Sequence, residues 1–154
     1  MGKKPREVYI LILLCLGMSF IFTIWGGYSL ILVLQIPSWQ GELGVILTAP
    51  LHFGYLTSTI VWFVFSAVFI IFAYGTLKGD NWVWSTGLII TTIFLIVLGL
   101  MLVSLMINSI LFLDLFSVTG LVMVILAFIG DLAIVYTITR PATKIYFESS
   151  VAKK

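Results

Sequence analysis

The sequence predicts an all-α membrane protein of four transmembrane helices, with the N and C termini cytoplasmic. Three observations predict it. First, 62% of the 154 residues are hydrophobic and 9% are charged, whereas soluble domains carry roughly 45–50% and about 25%. Mean hydropathy is +1.24, and so few polar groups cannot coat a water-facing surface. Second, the apolar residues form runs long enough for four spans of about 20 residues each. Third, the eight Lys and Arg residues all fall on one side of that fourfold reading. Lys3, Lys4 and Arg6 precede the first run, Lys78 separates the second from the third, and Arg140, Lys144, Lys153 and Lys154 follow the fourth. The other two connections hold none. Basic residues accumulate in cytoplasmic segments, so both tails are expected inside and the cell membrane is the expected location. The spans use most of the chain, which makes residues 1–154 a single membrane domain.

The first span is expected at about 8–34. The basic segment Met1-Gly2-Lys3-Lys4-Pro5-Arg6 imitates a secretory signal, but the apolar run is longer than an h-region of about 7–15 residues. A retained signal-anchor follows. Gly2 meets only part of a myristoylation motif, because position 6 is Arg rather than Ser or Thr. A helix of this length exceeds a hydrocarbon core of about 30 Å and should tilt or protrude. The segment at about 35–53 is expected as an extracytoplasmic loop holding Pro37, Trp39, Glu42, Gly44, Pro50 and the only histidine, His52. Its apolar middle, Val45-Ile46-Leu47, is expected to fold back along the membrane surface.

The second span, about 54–76, is rich in aromatic residues: Trp62, Phe63, Phe65, Phe69, Phe72 and Tyr74. They surround the helix, so some rings face lipid and others pack inward. Thr57, Ser58, Thr59 and Ser66 can bond their own helix or reach a neighbour. Lys78-Gly79-Asp80-Asn81 predicts a tight turn in which Gly and Asn tolerate positive φ, and Trp82 and Trp84 suit an interfacial aromatic belt. As one helix, Trp82 to Thr139 would run about 87 Å, nearly three bilayer cores. It is therefore divided into spans at about 83–107 and 115–139. The turn is placed at about 108–114, where Asn108, Ser109 and Asp114 give the only polar punctuation. Arg140-Pro141 closes the fourth span, since proline disfavours helical geometry in the residue before it.

Asp131 is the one carboxyl deep in a span, about 13 Å from the cytoplasmic end of its helix. A charge at the bilayer centre costs about 2.5–3.5 kcal/mol, which directs this side chain toward other helices. Gly120, Ala127 and Asp131 share one helical face, at rotations of about 20° and 40°. Small residues on one face favour close helix packing. Two readings of Asp131 stand: an interhelical hydrogen bond to a Ser, Thr or Asn, and a proton or cation site. No second ionisable group lies in a span to extend a relay.

Other chemistry is not expected. Glu42, His52 and Asp114 share the extracytoplasmic side but lack the ligand spacing of a metal site, and one histidine excludes an intrachain bis-histidine haem. No G-x-S-x-G nucleophile motif occurs. The lone Cys15 cannot form an intrachain disulfide. No catalytic residue, cofactor site or metal ligand is therefore assigned, and the scattered basic residues make no nucleic-acid surface. The aromatic and Thr-rich faces of spans two and three fit either a quinone or lipid pocket or ordinary packing.

The segment Ile138-Thr139-Arg140-Pro141-Ala142-Thr143-Lys144-Ile145-Tyr146-Phe147 resembles the ending of uncharacterised prokaryotic, largely archaeal, four-span membrane proteins. Their last helix runs into a Leu-Thr-Arg-Pro-x-x-Lys-x-Tyr-Phe-like motif, matched here by Thr139, Arg140, Pro141, Lys144, Tyr146 and Phe147. Ile138 replaces the usual Leu. Gly75-Thr76-Leu77-Lys78-Gly79 followed by Trp82 and Trp84 is similar to that family's second cytoplasmic turn. The resemblance covers roughly the second half of the chain and implies four spans without implying an activity. Asp131 falls about where such proteins tend to have Asn, which implies an uncharged hydrogen-bonding role. Independently, Arg140 and Lys144 are four residues apart and can snorkel to phosphates. With Tyr146, Phe147, Trp82 and Trp84 at the interface, they are the expected membrane anchors.

These features lead to the expectation of a non-catalytic membrane protein acting through packing. It would be an accessory or structural subunit of a larger membrane complex, with a respiratory or other energy-transducing assembly as the host. Its partners would be the lipid bilayer and other membrane-protein subunits, or further copies of itself. The alternative is a small transporter, channel or quinone-binding unit using Asp131.

Overall fold

A chain that crosses lipid must satisfy its backbone polar groups internally, and helices do so within one segment. In the computed structural model the apolar runs are all helical. The structure describes residues 5–35, 42–111 and 115–151, and within these the side chains outside 42–55, 108–119 and 150–151. Five helices result: α1 (Arg6–Gln35), α2 (Glu42–Lys78), α3 (Trp82–Leu111), α4 (Leu115–Ile138) and α5 (Pro141–Val151). There is no strand among the described residues. Four stretches are long and apolar enough to cross a membrane: Arg6–Gln35, Leu56–Lys78, Trp82–Ile107 and Gly120–Ile138.

The boundaries differ from expectation in three places. The α2 backbone is already helical at Glu42, so Val45-Ile46-Leu47 is part of that helix rather than a loop folding back. Pro50, a sequence signal for the loop, lies inside the same helix. Helix α3 continues through Asn108 and Ser109 to Leu111, into the segment expected as a turn. Asp114, Pro37, Trp39 and the basic tail residues Lys3, Lys4, Lys153 and Lys154 lie outside the described residues. The third difference is α5, where the sequence predicted only a surface tail.

The chain divides into two compact units, Ser19–Val68 and the combination of Met1–Met18 with Phe69–Lys154. In the Ser19–Val68 unit, α1 and α2 run antiparallel. Ser19 meets Ser66 at one level and Trp25 meets Trp62 at another. Phe22 stacks on Trp62 with centroids 5.5 Å apart and packs edge-on to Phe65. The Ser66 hydroxyl is shared by Ser19 and Thr23, each at 2.8 Å. Such hydroxyl contacts hold helices together where apolar burial gives little driving force, because lipid is as apolar as the side chains.

The other unit packs the start of α1, the end of α2, and α3 to α5. Phe69 against Phe94 and Phe72 against Trp82 set α2 and α3 antiparallel. Gly75 permits the approach: a Cβ there would lie 2.5 Å from Val83 Cγ2 and 2.9 Å from the Trp82 ring. The turn between them is a Schellman cap. Asp80 N–H donates to Gly75 C=O and Gly79 N–H to Thr76 C=O, at 3.1 and 3.2 Å. Gly79 takes φ 72°, and no non-glycine described residue, Asn81 included, has positive φ. Helix α4 buries Gly120, Val124, Ala127, Asp131, Ile134 and Ile138, alternating steps of four and three as in a knobs-into-holes seam.

Pro141 separates α4 from α5 and starts the latter, because its missing N–H costs nothing in the first helical turn. Arg140 C=O accepts from the N–H groups of Thr143 and Lys144, at 3.0 and 3.1 Å. α5 buries Thr143 and Phe147 completely.

Candidate functional site

The α4 seam carries Asp131 into the core of its unit, where it is 0% exposed. Neither carboxyl oxygen has a hydrogen-bond partner among the described residues. The expected bond to a Ser, Thr or Asn is not formed among the described residues, and local chemistry supplies the reason. Threonine hydroxyls in helices bond back to carbonyls of the preceding turn. Thr91 bonds Gly87 C=O, Thr76 bonds Phe72 C=O and Thr137 bonds Ala133 C=O, each at 2.7 Å. Thr143 is committed to Thr137 C=O at 2.8 Å. Among the described residues, no hydroxyl of this unit bonds the carboxyl.

Around Asp131 the packing is close. Adjacent Gly130 admits Met18, whose Sδ would lie 2.5 Å from a Cβ at that position. Cys15, one turn earlier on α1, is also buried. Among the described residues no hydrogen bond or ion pair compensates a charge on the carboxyl, and an uncompensated buried ion costs several kcal/mol. The small-residue face predicted from Gly120, Ala127 and Asp131 is buried throughout.

The aromatic and Thr-bearing faces of α2 and α3 meet in the same unit, where Phe69, Phe72, Thr76 and Thr91 line a cavity of about 10 Å³. That is close to the least space a single water needs. No group of three or more His, Cys, Asp and Glu residues able to hold a metal lies among the described residues. The side chains of Glu42, His52 and Asp114 lie outside the described residues.

The predicted anchors gather at one end of the unit, and several have structural partners. Trp84 donates its indole N–H to Ile138 C=O at 3.2 Å, satisfying a carbonyl left over at the end of α4. Lys144 sits 5.5 Å above the Trp84 ring and 3.8 Å from exposed Glu148. Arg140 lies 4.5 Å over the Tyr136 ring and donates to its hydroxyl. Trp82 is partly exposed and tilts against Phe72. Tyr146 is half-buried beside Phe147. Burial, and secondarily the proximity of Tyr9, pushes the Tyr146 phenol above its usual pKa. Phe147, expected at the membrane interface, is 0% exposed. α5 turns its ring inward, making this part of the tail a packing element.

A cleft between the start of α1 and the end of α4 was not foreseen. Its volume is about 390 Å³, and it is lined by Arg6, Glu7, Ile10 and Leu14 on one side and Ala133, Tyr136, Thr137 and Arg140 on the other. The sequence signal was the four-residue spacing of Arg6, Ile10 and Leu14, which aligns them on one helical face. Comparison with protein-family models, curated proteins and solved structures finds no match to this chain.

Proposed function

We propose that the chain is a non-catalytic structural subunit that works by helix packing within a larger membrane assembly. The observation that carries this reading is the distal half of α3. Its buried positions, Val83, Gly87, Thr91, Phe94 and Leu98, stop at Leu98, and no residue from Gly99 to Ile107 is buried. The α3 span is 17% buried, against 33–39% for the other three. Its outer row, Ile89, Ile93, Ile96, Leu100, Val103 and Ile107, is exposed and repeats in steps of four and three. β-branched and Leu residues at that spacing form the knobs of helix–helix seams. The proposed occupant is a helix of another subunit. The end bearing Arg6, Lys78, Arg140 and Lys144 is proposed to face the cytoplasm of a cell membrane, following the charge asymmetry.

Purification from native membranes in mild detergent, followed by mass spectrometry, tests the reading. Stoichiometric membrane partners that are lost in a Leu100→Ala/Val103→Ala variant support it. Isolation of the intact chain alone counts against it, and a homo-oligomer replaces the foreign subunit with a second copy.

A second reading rests on Asp131, whose burial and unpartnered oxygens fit a proton- or cation-handling carboxyl. It predicts flux in liposomes that Asp131→Asn abolishes. Wild-type protein without flux disposes of it.

A further inference from the structure

We propose that the cleft between α1 and α4 binds the phosphate headgroup and upper acyl chain of an anionic phospholipid. This inference is independent of the subunit reading. Arg6 and Arg140 stand at one end of the cleft, while Ile10, Leu14 and Ala133 line the rest. From Arg6 to Leu14 is about 12 Å along the helix, so a headgroup on the arginines leaves an acyl chain running over the apolar residues. The volume of about 390 Å³ falls within the usual range for small-molecule sites, about 300–1,000 Å³.

The charge chemistry favours phosphate. Guanidinium presents a planar fork of donors that matches phosphate oxygens. Tyr136 fixes Arg140 through its ring and hydroxyl, and the remaining N–H groups are available to a ligand. The salt bridge among the described residues is Lys144–Glu148, so Glu7, which also lines the cleft, neutralises neither arginine through an ion pair. Two cations against one carboxylate leave the site net positive. It sits at the end of two spans, where a lipid headgroup lies, and basic groups there attract anionic lipid.

The intact chain, purified in detergent, is titrated with phosphatidylglycerol, phosphatidylcholine or inorganic phosphate and read by native mass spectrometry. Phosphatidylglycerol is expected to bind in preference to phosphatidylcholine. Arg6→Gln and Arg140→Gln should each weaken it about tenfold, the scale of one charge-assisted hydrogen bond. Glu7→Gln should tighten binding, and Lys78→Gln, outside the cleft, should leave it unchanged. Circular dichroism confirms that each variant is folded. Equal binding of both lipids, or undiminished phosphatidylglycerol binding by both arginine variants, overturns the proposal. Displacement of the lipid by inorganic phosphate at comparable concentration overturns the lipid assignment in favour of a free phosphate.

Discussion

The Thr143 hydroxyl donates to the Thr137 carbonyl at 2.8 Å, in the place where Pro141 has no N–H to offer. In an uninterrupted helix residue 141 would bond residue 137. Proline removes that donor, Arg140 N–H reaches the same carbonyl only at 3.3 Å, and a buried side chain completes the set. Thr143→Val should therefore destabilise the protein by about 1–3 kcal/mol, the cost of an unmade buried hydrogen bond. Thr143→Ser should recover most of it. Unfolding in detergent, followed by circular dichroism, measures the difference.

Gly75 and Gly17 make a matched pair. A methyl group at Gly75 meets Val83 and the Trp82 ring below 3 Å, whereas Gly17 has no atom within 4 Å of such a group. Gly75→Ala should cost about 1–3 kcal/mol by overpacking. Gly17→Ala should be neutral or stabilise by up to about 1 kcal/mol, as glycine is the poorer helix former. Similar melting points for the two variants would contradict the α2–α3 packing.

Among the described residues Asp131 makes no hydrogen bond that substitution would remove. Asp131→Asn exchanges one unbonded buried polar group for another of the same shape and should not carry the cost of about 1–3 kcal/mol that a broken buried hydrogen bond does. A loss of that size, measured by unfolding in detergent, would mean that the carboxyl holds a partner in the membrane.

Tyr146 gives a pH dependence outside the spans. Burial raises its phenol pKa in the folded chain, so the folded state holds the proton more tightly than the unfolded state, whose value is about 10. Stability from this group is fully present below that value and is lost as pH rises through the folded pKa. Tyr146→Phe should flatten the alkaline side of the stability profile. An unchanged alkaline slope would show that Tyr146 does not contribute.

The four spans were legible because hydropathy alone reports them. The faces they turn inward were not, because in lipid both faces of a helix are apolar and the periodicity that marks a soluble helix fades. Asp131, Gly120 and Ala127 were exceptions, since charge and size still distinguish one side. The α2 start was misplaced because Gly44 and Pro50 are loop signals in water, yet a long apolar helix contains both. α5 was overlooked although Pro141 at a first helical position is a helix-start signal. Phe147 suits the interface by residue type, and its burial depends on α5. The cleft at Arg6 and Arg140 joins residues more than a hundred positions apart, which one-dimensional spacing cannot bring together.

The central claim is that the outer face of α3 meets another protein. A photo-crosslinking amino acid placed at Leu100, 68% exposed on α3, and separately at Leu13, 69% exposed on α1, tests it in native membranes. A discrete protein adduct at Leu100, with lipid adducts at Leu13, is the predicted result. Lipid adducts alone at both positions would contradict the account.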